Sequence, residues 1–166
     1  GKNEKYLKQN KIDYKKVLIW GNSHAGYYPD AAPLVLKLIF NGSGKILGAQ
    51  GAGAEGVDKR IDVIASVMRN GGKVQELTDS ELCYAPPYSS AKDPVNILGM
   101  AADNILKGFV KPAFYEDLKD AYLIDVRPAE SFEMKTIEGA VSIPAAQLRE
   151  RLGEIPKDRK VILFRK

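Results

Sequence analysis

The sequence has little cysteine and no long apolar runs. It contains one cysteine, Cys83, among 166 residues, which excludes an intrachain disulfide, a CxxC redox motif and a cysteine metal site. No apolar run approaches the roughly 18 residues that a membrane span requires. Residues 1–11 are polar and basic, unlike a signal peptide. We therefore expect a cytoplasmic protein with no membrane association and no bound metal.

Charge of one sign is not concentrated anywhere in the chain. The formal net charge is +4, and 28% of the residues are charged. Basic and acidic side chains alternate, as in residues 58–62, and no basic stripe is interleaved with aromatic side chains. Binding to nucleic acid is therefore not expected. The hydrophobic fraction of 45% is typical of a globular protein with a packed core.

Residues 1–110 combine strand and helix patterns. Strands are predicted over residues 16–19, 34–40 and 45–49, and the turn residues 41–44 join the last two into a hairpin. Apolar residues at helical spacing predict helices over 56–69, 74–77 and 95–106. Exposed or proline-rich loops are predicted over 24–29 and 84–94. This part of the chain is predicted to be an α+β domain.

Residues 48–54 are mostly glycine and alanine, and this composition has two possible interpretations. A strand with almost no side chains lets a helix or another backbone approach closely. A phosphate-binding glycine loop would instead have to open a helix directly after the first strand of a βαβ unit. Here the glycines follow a hairpin, so close packing is the favoured interpretation.

The pattern changes after Lys111-Pro112, where we expect a domain boundary. Residues 113–166 alternate short strand and helix signals. Strands are predicted over 122–126, 140–143 and 161–164, and helices over 128–134 and 145–152. Strands separated by single helices favour a parallel α/β layer.

Three motifs in the first part resemble a known family. They are HAGYYP at 24–29, GVDKRIDV at 56–63 and YAPPYSSAKDPVN at 84–96. In this order they are similar to the C-terminal dimerisation domain of coenzyme A-disulfide reductases, persulfide reductases and related NADH oxidases. The resemblance implies a fold with an antiparallel sheet and helices over residues 1–110, in a chain that begins after the first strand of that domain. It also implies a homodimer whose loops complete the partner subunit's active site.

The same resemblance assigns Tyr27 and Tyr84 to the substrate pocket of the opposite subunit as catalytic groups. A phenol can donate a hydrogen bond or a proton to a thiolate or persulfide sulfur. His24, three residues before Tyr27, is a secondary candidate, because related glutathione-type reductases present a histidine in the equivalent role. Tyr88 and Lys92 are further candidates for substrate binding. A packed turn for Tyr88, a backbone-bonded loop residue for His24 and a solvated lysine beside Asp93 for Lys92 are the alternatives.

The second part resembles a rhodanese domain through LIDVR at 123–127 and IEGAVSIP at 137–144. In that family a cysteine persulfide forms in a loop after the central strand. Arg165 occupies the position of this cysteine. We therefore expect an incomplete rhodanese-like segment that does not transfer sulfur.

Together the resemblances imply part of a reductase of coenzyme A disulfide or persulfides that uses FAD and NAD(P)H. The glycine fingerprints for both cofactors and the reactive cysteine of the flavin domain are missing from these residues, so we expect neither cofactor to bind this chain alone. The alternative function is a standalone dimerisation or interaction module with an inactive rhodanese remnant. An independent sulfurtransferase is the weakest possibility.

Overall fold

A computed structural model describes residues 1–165 as two compact units. The first unit covers Gly1–Lys111, and the second begins at Pro112. Among residues 1–165 no helix is long and apolar enough to cross a membrane.

The first unit contains an antiparallel sheet of three strands in the order β1-β2-β3. The strands are β1 (Lys15–Asn22), β2 (Pro33–Phe40) and β3 (Ile46–Gly53). The predicted hairpin of β2 and β3 is confirmed, and the Asn41 side chain closes its turn by accepting from the backbone N–H groups of Ser43 and Lys45.

The first strand is longer than the sequence pattern predicts. The predicted strand ended at residue 19, but Gly21 and Asn22 also pair with β2, opposite Leu34 and Pro33. The full register with β2 outweighs the low strand propensity of glycine and asparagine, because propensity is a weaker determinant than pairing on a half-buried sheet.

Four helices complete the first unit. They are α1 (Glu4–Gln9), α2 (Val57–Arg69), α3 (Val74–Asp79) and α4 (Pro94–Leu106). The last three confirm the predicted helices within one or two residues. The first was not predicted; Asn3 caps it by accepting from the Tyr6 backbone N–H, and its one buried side chain is Leu7.

The core lies between one face of the sheet and helices α2, α3 and α4. Alternate residues of β2 supply its centre, where Leu34, Leu36, Leu38 and Phe40 are at most 1% exposed. Ile64 and Leu98 pack against them from the helices. Burying each such side chain contributes about 1.5–3 kcal/mol, so this layer holds the sheet and helices together.

The glycines of β3 allow the close approach of α2. A Cβ atom at Gly51 would collide with Val57, and one at Gly53 would lie 2.8 Å from the Leu34 Cβ. The expectation that residues 48–54 form a strand with close packing is confirmed, because β3 pairs with β2 through Gly53.

Helix α1 is anchored by the carboxylate of Glu4. This group pairs with Lys37 of β2 and Lys16 of β1 and accepts from the Tyr14 hydroxyl at 2.9 Å. Burial raises the pKa of the carboxyl, but the hydrogen bonds from Lys37, Lys16 and Tyr14 outweigh it and lower the pKa to about 2. Lys37 alternates with Leu36 and Leu38 along β2, so α1 is tied to the sheet face opposite the main core.

The second unit contains a parallel sheet in the order β5-β4-β6. Its elements are β4 (Tyr122–Asp125), α5 (Ala129–Met134), β5 (Val141–Ser142), β6 (Val161–Phe164) and 3₁₀ turns at Tyr115–Asp117 and Leu152–Glu154. The predicted parallel layer is confirmed.

The prediction of a helix over residues 145–152 was wrong. Residues 145–151 form successive turns, followed by the 3₁₀ turn. None of these residues is buried, and a helix this short is not stable without tertiary packing. Gly153 and Pro156 then prevent its extension.

Replacing Gly48 with alanine tests how α1 is held. An added Cβ would collide with the backbone of Lys2, whose N–H donates to the Leu47 carbonyl at 2.8 Å. We expect Gly48→Ala to lower the free energy of unfolding by about 1–3 kcal/mol. Urea unfolding followed by fluorescence of Trp20, the single tryptophan, measures it.

Gly42→Ala is the matched control, since a Cβ there has no neighbour within 4 Å. We expect its change to stay within about 0.5 kcal/mol. Equal effects of the two substitutions would contradict the proposed contact.

Candidate functional site

Two exposed tyrosines from different loops meet in the first unit. Tyr27 lies in the loop between β1 and β2, and Tyr84 lies in the loop between α3 and α4. Their hydroxyl oxygens are 2.6 Å apart, within hydrogen-bond distance. The side chains are 75% and 48% exposed. The structure therefore brings together the two residues that the family resemblance selected and presents them to the outside.

The hydrogen bond between the phenols changes the acidity of Tyr27. The bond to Tyr84 raises the pKa of Tyr27. A hydrogen bond that a phenol donates stabilises its neutral form and so raises its pKa. Either hydroxyl can be the donor, and whichever phenol accepts keeps its own proton for another acceptor.

His24 is a buried part of the same loop, with 7% exposure. Its Nε2 lies 2.9 Å from the Pro29 carbonyl, which can only accept, so Nε2 carries the hydrogen. Its Nδ1 then accepts from the Ser23 hydroxyl at 3.0 Å. The ring also packs edge-on against Tyr28, with centroids 5.7 Å apart. Both ring nitrogens thus hold the loop in shape.

A buried ion pair lies beneath the two loops. Arg60 of α2 and Asp93 are 1% and 2% exposed, and Nη2 donates to the Asp93 carboxylate at 2.9 Å. The guanidinium also donates to the carbonyls of Gly56 at 2.8 Å and Ser23 at 2.9 Å. Asp93 accepts further bonds from the Ser89 hydroxyl at 2.5 Å and the Val95 N–H at 2.9 Å.

Burial alone would raise the pKa of Asp93. Hydrogen bonds from Ser89, the Val95 N–H and Arg60 outweigh it and lower the pKa. The carboxylate therefore stays ionised at neutral pH and remains a partner of the guanidinium.

Sequence reasoning did not single out Arg60, although a signal was present. Arg60 lies three residues after Val57 and four before Ile64, on the apolar stripe of α2. A charged residue on such a stripe requires a buried partner. That partner is Asp93, 33 residues later.

Tyr88 and Lys92 lie in the same long loop as Tyr84. Tyr88 is 71% exposed, and its backbone carbonyl accepts from Lys59 Nζ at 3.0 Å. Lys92 is exposed and lines a polar cavity of about 510 Å³ together with Asp79, Glu81 and Asn96. The lining of this cavity includes neither Tyr27 nor Tyr84, so the structure groups Lys92 separately from the tyrosine pair.

Cys83, the single cysteine, directly precedes Tyr84. Its side chain is exposed, because the chain has left α3 at Asp79 and runs without regular structure at this point. Among the described residues no cluster of three histidine, cysteine or acidic side chains is placed to hold a metal ion.

The second unit has its own buried carboxylate, Asp125, at the end of β4. The Arg127 guanidinium donates to it at 2.6 Å and the Thr136 hydroxyl at 2.9 Å. Hydrogen bonds from Arg127, together with one from Thr136, lower the pKa of Asp125 to about 2 despite its burial. Arg127, Thr136 and Phe164 line a cavity of about 190 Å³. Arg165, which follows β6, is exposed.

Comparison with known families identifies both units. Residues 1–94 match the family described as pyridine nucleotide-disulphide oxidoreductase, dimerisation domain. The chain belongs to this dimerisation-domain family. Residues 112–166 match the rhodanese-like domain, so the dimerisation domain is followed by a rhodanese-like segment, as the motifs predicted.

The relatives of this dimerisation domain are larger proteins. A coenzyme A disulfide reductase of Staphylococcus aureus (strain bovine RF122 / ET3-1) is 48% identical over 97 residues, which are 58% of this chain and 22% of that protein. The reduced CoADR-RHD protein of Bacillus anthracis matches with a TM-score of 0.94 and 49% identity, over 99% of this chain and 31% of that one. An NAD-dependent persulfide reductase from A. fulgidus matches with a TM-score of 0.86 and 39% identity, over 99% and 30%. The chain spans less than a third of each.

The low pKa of Asp125 predicts a pH dependence of stability. Because folding lowers this pKa from 3.8 to about 2, the stabilisation is complete above about pH 4 and is lost as the pH falls through about 2. We expect Asp125→Asn to remove this dependence and to cost about 1–3 kcal/mol at pH 7. Urea unfolding between pH 2 and 7, followed by the amide NMR signals of β4 and β6, measures both effects.

Glu4→Gln is the control, because Glu4 has a similarly low pKa but lies in the first unit. It should leave the β4 and β6 signals unchanged and alter the unfolding reported by Trp20. An unaltered pH profile in Asp125→Asn would contradict the assignment to Asp125.

Proposed function

We propose that this chain is the dimerisation and partner-site portion of a cytoplasmic reductase that acts on coenzyme A disulfide or on persulfides. In this proposal the enzyme is a homodimer that uses FAD and NAD(P)H, and Tyr27 and Tyr84 of one subunit enter the substrate pocket of the other. The observation that carries the proposal is the hydrogen-bonded pair of exposed phenols, 2.6 Å apart. The names of the relatives support the substrate class.

The tyrosine pair can supply the proton donor that reduction of a disulfide requires. Splitting an S–S bond with two electrons, which NAD(P)H supplies through FAD in the proposal, gives two thiolates, and the one that departs becomes a thiol by taking up a proton. A phenol placed at that sulfur stabilises the thiolate by a hydrogen bond and can deliver the proton. In the proposal Tyr27 donates to Tyr84, so the proton of Tyr84 is the one available to the sulfur, and Tyr27 fixes the orientation of the Tyr84 hydroxyl.

The other candidates take supporting roles in the proposal. His24 shapes the loop that carries Tyr27, because both of its nitrogens are bonded within that loop. Tyr88 and Lys92 are exposed in the loop that carries Tyr84. Both can contact the body of a large anionic substrate such as coenzyme A.

The glycines of β3 do not form a phosphate-binding loop for FAD or NAD(P)H. The glycine-rich residues 48–53 lie within the paired length of β3, and the Cβ positions of Gly51 and Gly53 are taken by Val57 and Leu34. Their N–H groups therefore do not form a phosphate loop at the start of a helix. In the proposal both cofactors belong to the remainder of the enzyme, and this chain contributes no redox step.

The rhodanese-like segment has no sulfur carrier in the proposal. Arg165 follows β6, where the family resemblance places the reactive cysteine. An arginine cannot form a persulfide. We therefore assign no sulfur transfer to residues 112–166.

Substitution of the phenols in the full-length protein that contains this chain tests the proposal. We expect Tyr84→Phe to lower kcat/KM for coenzyme A disulfide or persulfide by about 10²–10⁴-fold, the range for loss of a general acid. Tyr27→Phe should have a smaller effect, because it removes only the group that orients Tyr84. Steady-state kinetics, FAD absorbance and the mass of the dimer are measured together.

Tyr115→Phe is the matched control, since Tyr115 is 88% exposed and lies in the second unit. Its kinetics should equal those of the unsubstituted protein. Unchanged turnover in both Tyr27→Phe and Tyr84→Phe would remove the pair from the site. A reading frame without a flavin-binding region upstream would favour the standalone dimerisation module instead.

A further inference from the structure

We propose that Arg60 is a positioning residue for the tyrosine pair, because its guanidinium fixes the two loops that bring Tyr27 and Tyr84 together. The use of the pair in catalysis rests on the proposed function. The positioning itself is a property of this chain.

The guanidinium bonds to three separate stretches of chain. It donates to the Ser23 carbonyl at the start of the Tyr27 loop, to the Gly56 carbonyl at the start of α2, and to Asp93 at the end of the Tyr84 loop. At 1% exposure it has no access to water. A side chain with several N–H donors in a fixed plane suits such a junction, and a lysine ammonium does not.

The loop of Tyr27 is held by Ser23 on two sides. Its carbonyl accepts from Arg60, and its hydroxyl accepts from the Ala32 N–H at 3.0 Å, which joins the two ends of the loop. The same hydroxyl donates to His24. The position of Arg60 is thereby transmitted to the loop that carries Tyr27.

The loop of Tyr84 is held through Asp93. Ser89 donates its hydroxyl to the Asp93 carboxylate at 2.5 Å, and the Ser89 N–H donates to the Ala85 carbonyl at 3.1 Å. Ala85 directly follows Tyr84. One further bond, from the Ala25 N–H to the Pro86 carbonyl at 3.3 Å, joins this loop to that of Tyr27.

The local backbone is adapted to the guanidinium. Gly56 has a φ of +67°, and a Cβ atom there would collide with Arg60 Nη1. A buried ion pair contributes little net stability over apolar residues of the same volume. Stability alone therefore does not account for an arginine at this place, whereas the meeting of two loops does.

The experiment reads the tyrosine pair directly. The chain is labelled with ¹³Cζ-tyrosine, and the titration of Tyr27 is followed by NMR in the unsubstituted chain, in Tyr84→Phe and in Arg60→Met. We expect the raised pKa of Tyr27 to fall in Arg60→Met to the value found in Tyr84→Phe. A folded Arg60→Met chain with an unchanged Tyr27 titration overturns the proposal.

Two further variants keep the test decisive where Arg60→Met does not fold. Arg60→Lys keeps the charge but cannot bridge three sites, so the Tyr27 titration should again shift toward that of Tyr84→Phe. Arg69→Met is the control, since Arg69 is an exposed arginine of the same helix, and it should leave the titration unchanged. An unchanged titration in folded Arg60→Lys also overturns the proposal.

Alanine substitutions at Gly56 and Gly71 distinguish the effect of backbone strain from the effect of displacing the Arg60 guanidinium. Gly56 and Gly71 both have positive φ, +67° and +77°, but a Cβ atom at Gly71 has no neighbour within 4 Å. We expect Gly56→Ala to shift the Tyr27 titration and Gly71→Ala to leave it unchanged. Equal behaviour of the two variants counts against the role of Arg60.

Kinetics in the full-length protein distinguish the two proposals. If Arg60 acts through the pair, Arg60→Lys lowers kcat for the disulfide, and the double variant with Tyr84→Phe is no slower than Tyr84→Phe alone. If the effects of Arg60→Lys and Tyr84→Phe on kcat are fully additive, Arg60 does not act through the pair during turnover, and the positioning role in turnover is overturned. If Tyr27→Phe and Tyr84→Phe both leave turnover unchanged, the proposed function fails, and the Tyr27 titration still decides whether Arg60 positions the pair.

Discussion

The ion pair of Arg60 and Asp93 joins parts of the chain that the apolar core leaves separate. The core packs α2, α3 and α4 on one face of the sheet, but the loops of Tyr27 and Tyr84 extend beyond it. The buried Ser23 carbonyl in the first loop and the buried Asp93 carboxylate in the second still need donors. A buried guanidinium supplies several at once. A polar contact, more than apolar burial, therefore determines where the exposed phenols lie.

The two units use a buried aspartate in different ways. Arg60 and Asp93 are 33 residues apart and connect separate elements, whereas Asp125 and Arg127 are two residues apart and stiffen one turn at the end of β4. A long-range pair constrains the relative position of elements, and its two partners must be brought together by the fold. A short-range pair shapes the chain wherever the strand forms. Only the long-range pair can therefore organise a site built from two loops.

Sequence patterns predicted the elements that an amphipathic face or a turn motif specifies, such as α2, α4 and the β2–β3 hairpin. They failed where tertiary contact decides the structure. Helix α1 is stabilised by ion pairs of Glu4 with lysines on two strands. Residues 145–152 form turns because none of them is buried against a core. The family resemblance selected Tyr27 and Tyr84 as site residues, but their contact was not predicted, since no local pattern specifies a contact over 57 residues.

Because the phenols lie outside the core, substitution of a phenol and substitution of Arg60 have different consequences in evolution. Neither Tyr27 nor Tyr84 belongs to the cluster of buried apolar side chains. Exchange of either residue therefore leaves the packing of β2 and its helices intact, while exchange of Arg60 moves both loops. Selection can adjust the acidity and reach of the exposed side chains one at a time, on a scaffold that keeps presenting them at the same spot. Under the proposed function, single codon changes at these two positions would give such a scaffold access to new sulfur substrates.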